Sequence, residues 1–118
     1  MARKLKGMVV KVDLTTEIKM YDEPFYKTIG EDVDGWIEIV RPRDLPEGLV
    51  MVVDEEGLIK NKPVNLLGSL FYGHYAPIVG DIVLIREGMT NEGMDFMSLT
   101  DAQINFIENI LKSLKEDR

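Results

Sequence analysis

The chain contains no cysteine. That absence excludes disulfides, thiolate zinc sites and cysteine nucleophiles together, and it fits a reducing compartment. There is a single histidine, His74, and a single tryptophan, Trp36. Without Cys or a second His, a transition-metal site would have to be built from His74 and carboxylates, so no metal ligand set is expected. No P-loop and no G-x-G-x-x-G occurs. Leu67-Gly68-Ser69-Leu70 lacks the second glycine of a nucleophile elbow, so Ser69 or Ser98 with His74 does not read as a hydrolase triad. No catalytic residue and no cofactor are expected, and the chain does not read as an enzyme. No apolar run approaches the roughly 18–20 residues of a membrane span, and MARKLKGMVV has no signal-peptide core. The expected location is the cytoplasm, away from the membrane.

What is present is ordinary globular material. Apolar residues make up 45% of 118 residues, enough for one domain of usual size, residues 1–118. The formal net charge is −7 and it is unevenly placed: +3 over residues 1–20, −7 over 21–60 and −3 over 61–118. Nucleic-acid surfaces need clustered cations to displace counterions, so direct nucleic-acid binding is not expected.

Residues 6–21 read as a β-hairpin around Asp13-Leu14-Thr15-Thr16, with alternation from Met8 to Val12 implying one wetter face. Its Lys-rich flanks would shield the edge from other chains. Asp22-Glu23-Pro24 reads as a helix start, followed by Phe25, Ile29 and Val33 on one face. Trp36–Val40 is a strand. Arg41–Gly48 is a proline-braced connector. Leu49–Val53 is apolar at every position, as in a central strand buried on both faces. Asp54-Glu55-Glu56-Gly57 reads as a solvated turn rather than a cation loop, with Leu58-Ile59-Lys60 a brief return strand. Asp32-Val33-Asp34-Gly35 resembles the opening of a calcium loop but lacks its closing acid, Arg43 standing there.

Val64 to Tyr72 suggests a short helix weakened by glycine, and Gly73–Pro77 a loop. Ile82–Ile85 is another buried strand, and Gly88–Met97 a Met-rich loop or edge strand. Thr100 and Gln103 form a capping box opening an amphipathic C-terminal helix, with Leu99 and Ile104 as its staple. The fold expected is α+β: a mostly antiparallel sheet of five or six strands, a short helix and the amphipathic C-terminal helix.

Two loops carry the residues suited to a ligand. Arg41 and Arg43 present guanidinium forks that match phosphate; salt bridges with Asp44 and Glu47 are the competing reading. Trp36, Tyr72, His74 and Tyr75 suit stacking on a planar group, with ordinary loop packing the alternative. Asn65 is a nearby polar edge.

The segments GWIEIV, LVMVVDEEGLIKNKPVN, IVGDIVLI and FMSLTDAQINFI occur in that order. Together they resemble a small uncharacterised domain family, a domain of unknown function, of bacteria, plasmids and phages. The pattern is a G-x-I-E-x-V strand, a strand entering an N/D-E-E-G turn, a P-x-N, a G-[DT] strand and an S-L-T tail. Here Asp54 stands where Asn is common, and Ala102-Gln103 stands where the S-L-T-x-E-Q tail, when present, has E-Q. The resemblance implies no enzymatic role. It implies a phage-type accessory protein countering host defence; joined to the residue content of the two loops, it gives the expectation of a homo-oligomer that binds and sequesters a small nucleotide-derived signal through Trp36, Arg41, Arg43, Asn65, Tyr72, His74 and Tyr75. The other possibility it leaves is an acidic protein-interaction module inhibiting a host protein, for which the −7 charge and the Met-rich segment 89–97 also speak.

Overall fold

The strand Leu49–Asp54 (β4) is buried at every position, because both of its faces are covered. Side chains alternate across a strand, so Leu49, Met51 and Val53 enter one core while Val50 and Val52 enter the other. The same division holds for Ile82–Thr90 (β5), with Ile82 and Leu84 on the first side and Val83 and Ile85 on the second. The computed structural model describes residues 3–43, 45–73 and 76–116. Its remaining strands are Lys4–Val10 (β1), Thr16–Asp22 (β2), Ile37–Val40 (β3) and Gly93–Met97 (β6). The helices are Phe25–Val33 (α1), Leu66–Tyr72 (α2) and Asp101–Glu116 (α3). No helix among the described residues is long and apolar enough to cross a membrane.

The six strands form one antiparallel sheet in the order β2-β1-β5-β4-β3. β6 pairs with the outer half of β5, from Arg86↔Met97 to Thr90↔Gly93, whereas β1 pairs with its inner half. β6 therefore continues the lane of β1. Ser98 ties the two together, its Oγ accepting from the Lys6 amide at 2.9 Å, and the Leu99 amide donates to the Lys6 carbonyl at 2.9 Å. α1 lies on one face, and α2 and α3 on the other. The α+β expectation holds.

α1 buries Phe25, Ile29 and Val33, the face its spacing predicts. It starts after Pro24, one turn later than the acids Asp22 and Glu23 suggest, and ends on Asp34 in the left-handed region at φ 58°. In α3 the capping box is complete: the Gln103 amide donates to Thr100 Oγ1 at 3.1 Å, and the Thr100 amide donates to Gln103 Oε1 at 3.0 Å. Thr100→Ala should therefore cost about 1 kcal/mol in urea denaturation. An unchanged midpoint would mean that tertiary contacts alone hold that helix end.

Two local readings need correction. β1 has no wetter face: Val9 is buried because β1 is an inner strand and α1 packs on that side. Leu58-Ile59-Lys60 is not a strand. Local bonds from Lys60 N to Glu56 O at 3.0 Å and Asn61 N to Leu58 O at 3.1 Å curl it into turns. Of the two readings of Gly88–Met97, loop or edge strand, the strand holds: β5 runs to Thr90 and β6 returns after a tight turn at Asn91-Glu92.

Candidate functional site

The acidic turn after β4 is only partly solvated. Glu55 and Glu56 are exposed, but the Asp54 side chain is buried. Its Oδ2 accepts from Lys60 Nζ at 2.9 Å and Lys62 Nζ at 2.8 Å, and its Oδ1 from the Glu56 amide at 2.9 Å. The same ammonium groups reach the C-terminal end of α1: Lys62 donates to the carbonyls of Val33 at 2.8 Å and Asp34 at 3.0 Å, and Lys60 to Asp34 at 3.1 Å. Cations are favoured at that end of a helix by its dipole. Burial pushes the Asp54 carboxyl up, but the bonds from Lys62, Lys60 and the Glu56 amide outweigh it and hold the pKa at about 2. The curl at 55–61 is what turns the two lysines back onto β4.

Gly35 completes this clamp. A Cβ built on it would run into the Asp54 carboxylate, so only glycine lets the chain leaving α1 pass. Ammonium groups stand where a cation would sit, and among the described residues no cluster of His, Cys, Asp or Glu forms a metal site. Asp32 and Asp34 do not converge as in a calcium loop. Asp32 instead accepts from Tyr21 Oη at 2.6 Å and Lys19 Nζ at 2.9 Å. Burial and that bond push the Tyr21 phenol well above its ordinary pKa.

Beside the clamp lies an open groove of about 480 Å³, lined by Tyr26, Lys27, Gly30, Glu31, Asp34, Gly35, Trp36, Glu56 and Lys60. Trp36 is 69% exposed and Tyr26 64%. The Trp36 carbonyl accepts from the Glu55 amide at 2.8 Å, which pins the backbone while the indole faces solvent. Three carboxylates rim the groove against two ammonium groups, and Lys60 is already engaged by Asp54. The groove is thus aromatic and electronegative.

The structure does not bring the seven sequence-derived site residues together. Trp36 alone lines this groove. Arg41 and Arg43 line a second depression of about 500 Å³ with Pro42, Leu45, Met89 and Met94. Arg41 is paired there with Glu87, two of its three guanidinium nitrogens, Nε and Nη2, donating to the carboxylate, the bond from Nη2 at 2.9 Å. That bond raises its pKa. This partner, 46 positions away, was invisible to local reading; Asp44 lies outside the described residues. Tyr72 lines a third depression of about 150 Å³ with Glu38, Val40, Leu58 and Pro77. His74 and Tyr75 lie outside the described residues.

Asn65, expected as a polar edge for a ligand, is fully buried. Its Oδ1 caps α2 through the Gly68 amide at 3.0 Å, and its Nδ2 donates to the carbonyls of Val10 and Gly80 at 3.0 Å each. The groove residues that sequence reading missed are Tyr26, Lys27, Glu31, Glu56 and Lys60. One signal was available: Tyr26 sits one position off the Phe25–Ile29–Val33 stripe, so a helical reading already turns that aromatic to solvent.

Residues 5–112 match a family described as a domain of unknown function. The fold is similar to part of a solved structure, the crystal structure of small RNA methyltransferase HEN1, with a TM-score of 0.67 at 15% identity. The match covers 91% of this chain and 16% of that one, so the chain spans about a sixth of that protein's length. At such identity the likeness shows the fold alone. No curated protein matches the sequence.

Proposed function

The chain belongs to the DUF3846 family, and from that premise and the groove we propose that it works by binding and not by turnover, as an acidic protein-interaction module that inhibits a host protein in the phage-type setting the family resemblance implies. The observation that carries this reading is Trp36, held out on a fixed backbone beside Tyr26 and rimmed by Glu31, Asp34 and Glu56. Exposed Trp and Tyr are the residues that anchor interfaces. An arginine of the partner fits the chemistry best: its guanidinium plane stacks on an indole and its donors match the carboxylate rim. The open shape of the groove also suits a protein surface better than an enclosed small molecule.

A nucleotide-derived ligand is the second reading. The aromatic pair beside Lys27 favours it, since a base can stack there and an ammonium group can meet phosphate. The carboxylate rim works against a polyanion, and Arg41 is neutralised by Glu87 in a different depression.

Trp36 is the only tryptophan, so intrinsic fluorescence reports on the groove directly. An arginine-bearing peptide should quench or blue-shift it, with a response that weakens as salt rises. Trp36→Ala should weaken peptide binding by more than about 2 kcal/mol, read by calorimetry, while leaving the melting temperature unchanged because the indole packs on little. A response to cyclic dinucleotides, ADP-ribose or NAD in place of the peptide would transfer the assignment to the second reading. Silence towards both ligand classes would sink the groove as a site.

A further inference from the structure

β2 ends the sheet, and among the described residues only β1 pairs with it. Its register with β1 is unbroken from Lys4↔Asp22 to Val10↔Thr16, so no bulge twists the edge away. It is seven residues long and contains no proline. The opposite edge, β3, has only four residues and runs into Arg41-Pro42. Natural edges are blunted by shortness, proline, bulges or charged side chains, lysine above all; β2 has only the last, as Glu17, Lys19 and Asp22. The lysines at 4, 6 and 11 belong to β1 or the turn, not to the edge. The single cation on β2, Lys19, is held by Asp32 at 2.9 Å. The shielding expected from Lys-rich flanks is therefore absent at the edge itself. On the α3 side of the sheet β2 leaves Ile18 44% and Met20 53% exposed.

We propose that β2 is the self-association edge of this protein, two copies pairing β2 antiparallel about a two-fold axis through Ile18. The occupant follows from charge and symmetry. A two-fold axis normal to the sheet keeps each face continuous only when even-numbered residues oppose even-numbered ones. Centring on Glu17 or on Lys19 sets like charges opposite each other. Centring on Met20 sets Ile18 against Asp22. Centring on Ile18 sets Glu17 of each copy against Lys19 of the other, twice by symmetry, and groups Ile18 with Ile18 and Thr16 with Met20. An ammonium group has three donors, so Lys19 keeps Asp32 and gains the second carboxylate. The result is one sheet running through both copies.

Sedimentation velocity across a dilution series tests this on the intact chain. The protein should be a dimer that dissociates on dilution and more readily at high salt. Ile18→Lys places two ammonium groups at the axis and should raise the dimer Kd at least ~10-fold. Glu17→Lys replaces both attractive pairs by repulsive ones and should act in the same direction. Both side chains are exposed, so the melting temperature of the diluted protein reports whether either variant is misfolded. In the dimer, hydrogen exchange should protect β2 amides that exchange freely on dilution. A wild-type monomer at the highest soluble concentration overturns the proposal and leaves the edge to an extended strand of another protein. A dimer indifferent to both substitutions overturns it by placing the interface elsewhere.

Discussion

Asp54→Ala should lose about 3–5 kcal/mol of stability in urea denaturation, the cost of breaking a buried ion pair from one side. Lys62 is largely buried and converges with Lys60 on one carboxylate oxygen. Without the carboxylate both ammonium groups keep the carbonyls of Val33 and Asp34, and Lys62 keeps only a long pair, at 3.8 Å, with the exposed Asp34 carboxylate. Against the ~5–15 kcal/mol that hold a domain folded, that loss is severe. Lys60→Ala should be milder, because Lys60 is more exposed and Lys62 still answers the charge. The same clamp sets a pH window. The Asp54 pKa falls from 3.8 to about 2 on folding, so its contribution is full above the unfolded value and is lost as pH falls through the folded one. Wild-type protein should shed about 2 kcal/mol between pH 4 and pH 2 from this group alone. The Asp54→Asn variant should lack that component. A deficit below about 1 kcal/mol for Asp54→Ala would mean that the lysines relax into solvent and that the clamp is incidental.

Asn65→Ala should cost at least about 3 kcal/mol. Three separate debts arise at one buried position: the α2 cap, worth about 1 kcal/mol, and the carbonyls of Val10 and Gly80, each left without this donor at about 1–3 kcal/mol. Those carbonyls belong to the end of β1 and the approach to β5, so one side chain fastens α2 to two inner strands. Asn65→Asp preserves the cap acceptor for Gly68 but aims an anion at two carbonyl oxygens, and should be at least as damaging. Denaturation and ligand titration together separate this role from a ligand contact. A ligand contact would leave stability intact and abolish binding, whereas the observed bonding calls for the loss of stability.

Both positions sit in the motifs that carry the family resemblance, the D-E-E-G turn and the P-x-N, and both were read from sequence as surface features. Polar residues in a turn are ordinarily solvated, and Asp54 stands where the apolar run Leu49–Val53 gives way to the polar Glu55-Glu56-Gly57. Its partners come from the curl at 55–61, which local reading took for a strand because Leu58 and Ile59 are apolar. Asn65 reads as a polar edge near Arg41 along the chain, but its side chain is buried on the carbonyls of Val10 and Gly80, whereas Arg41 is held by Glu87 on β5.

Features that depend only on neighbours along the chain are legible in the order of the residues. Period-2 alternation and unbroken apolar runs marked β1, β4 and β5, the i, i+4, i+8 stripe marked α1, and Thr100 with Gln103 marked the start of α3. Composition alone removed thiol chemistry. The tertiary structure decided everything that requires two distant segments to meet. It set β6 in the lane of β1, joined Arg41 to Glu87, drew Lys60 and Lys62 onto Asp54 at the end of α1, and set Tyr26 beside Trp36. Periodicity and capping are short-range consequences of backbone geometry and are written locally. Ion pairs, grooves and free edges depend on which strands lie side by side, and that order follows from packing two cores at once.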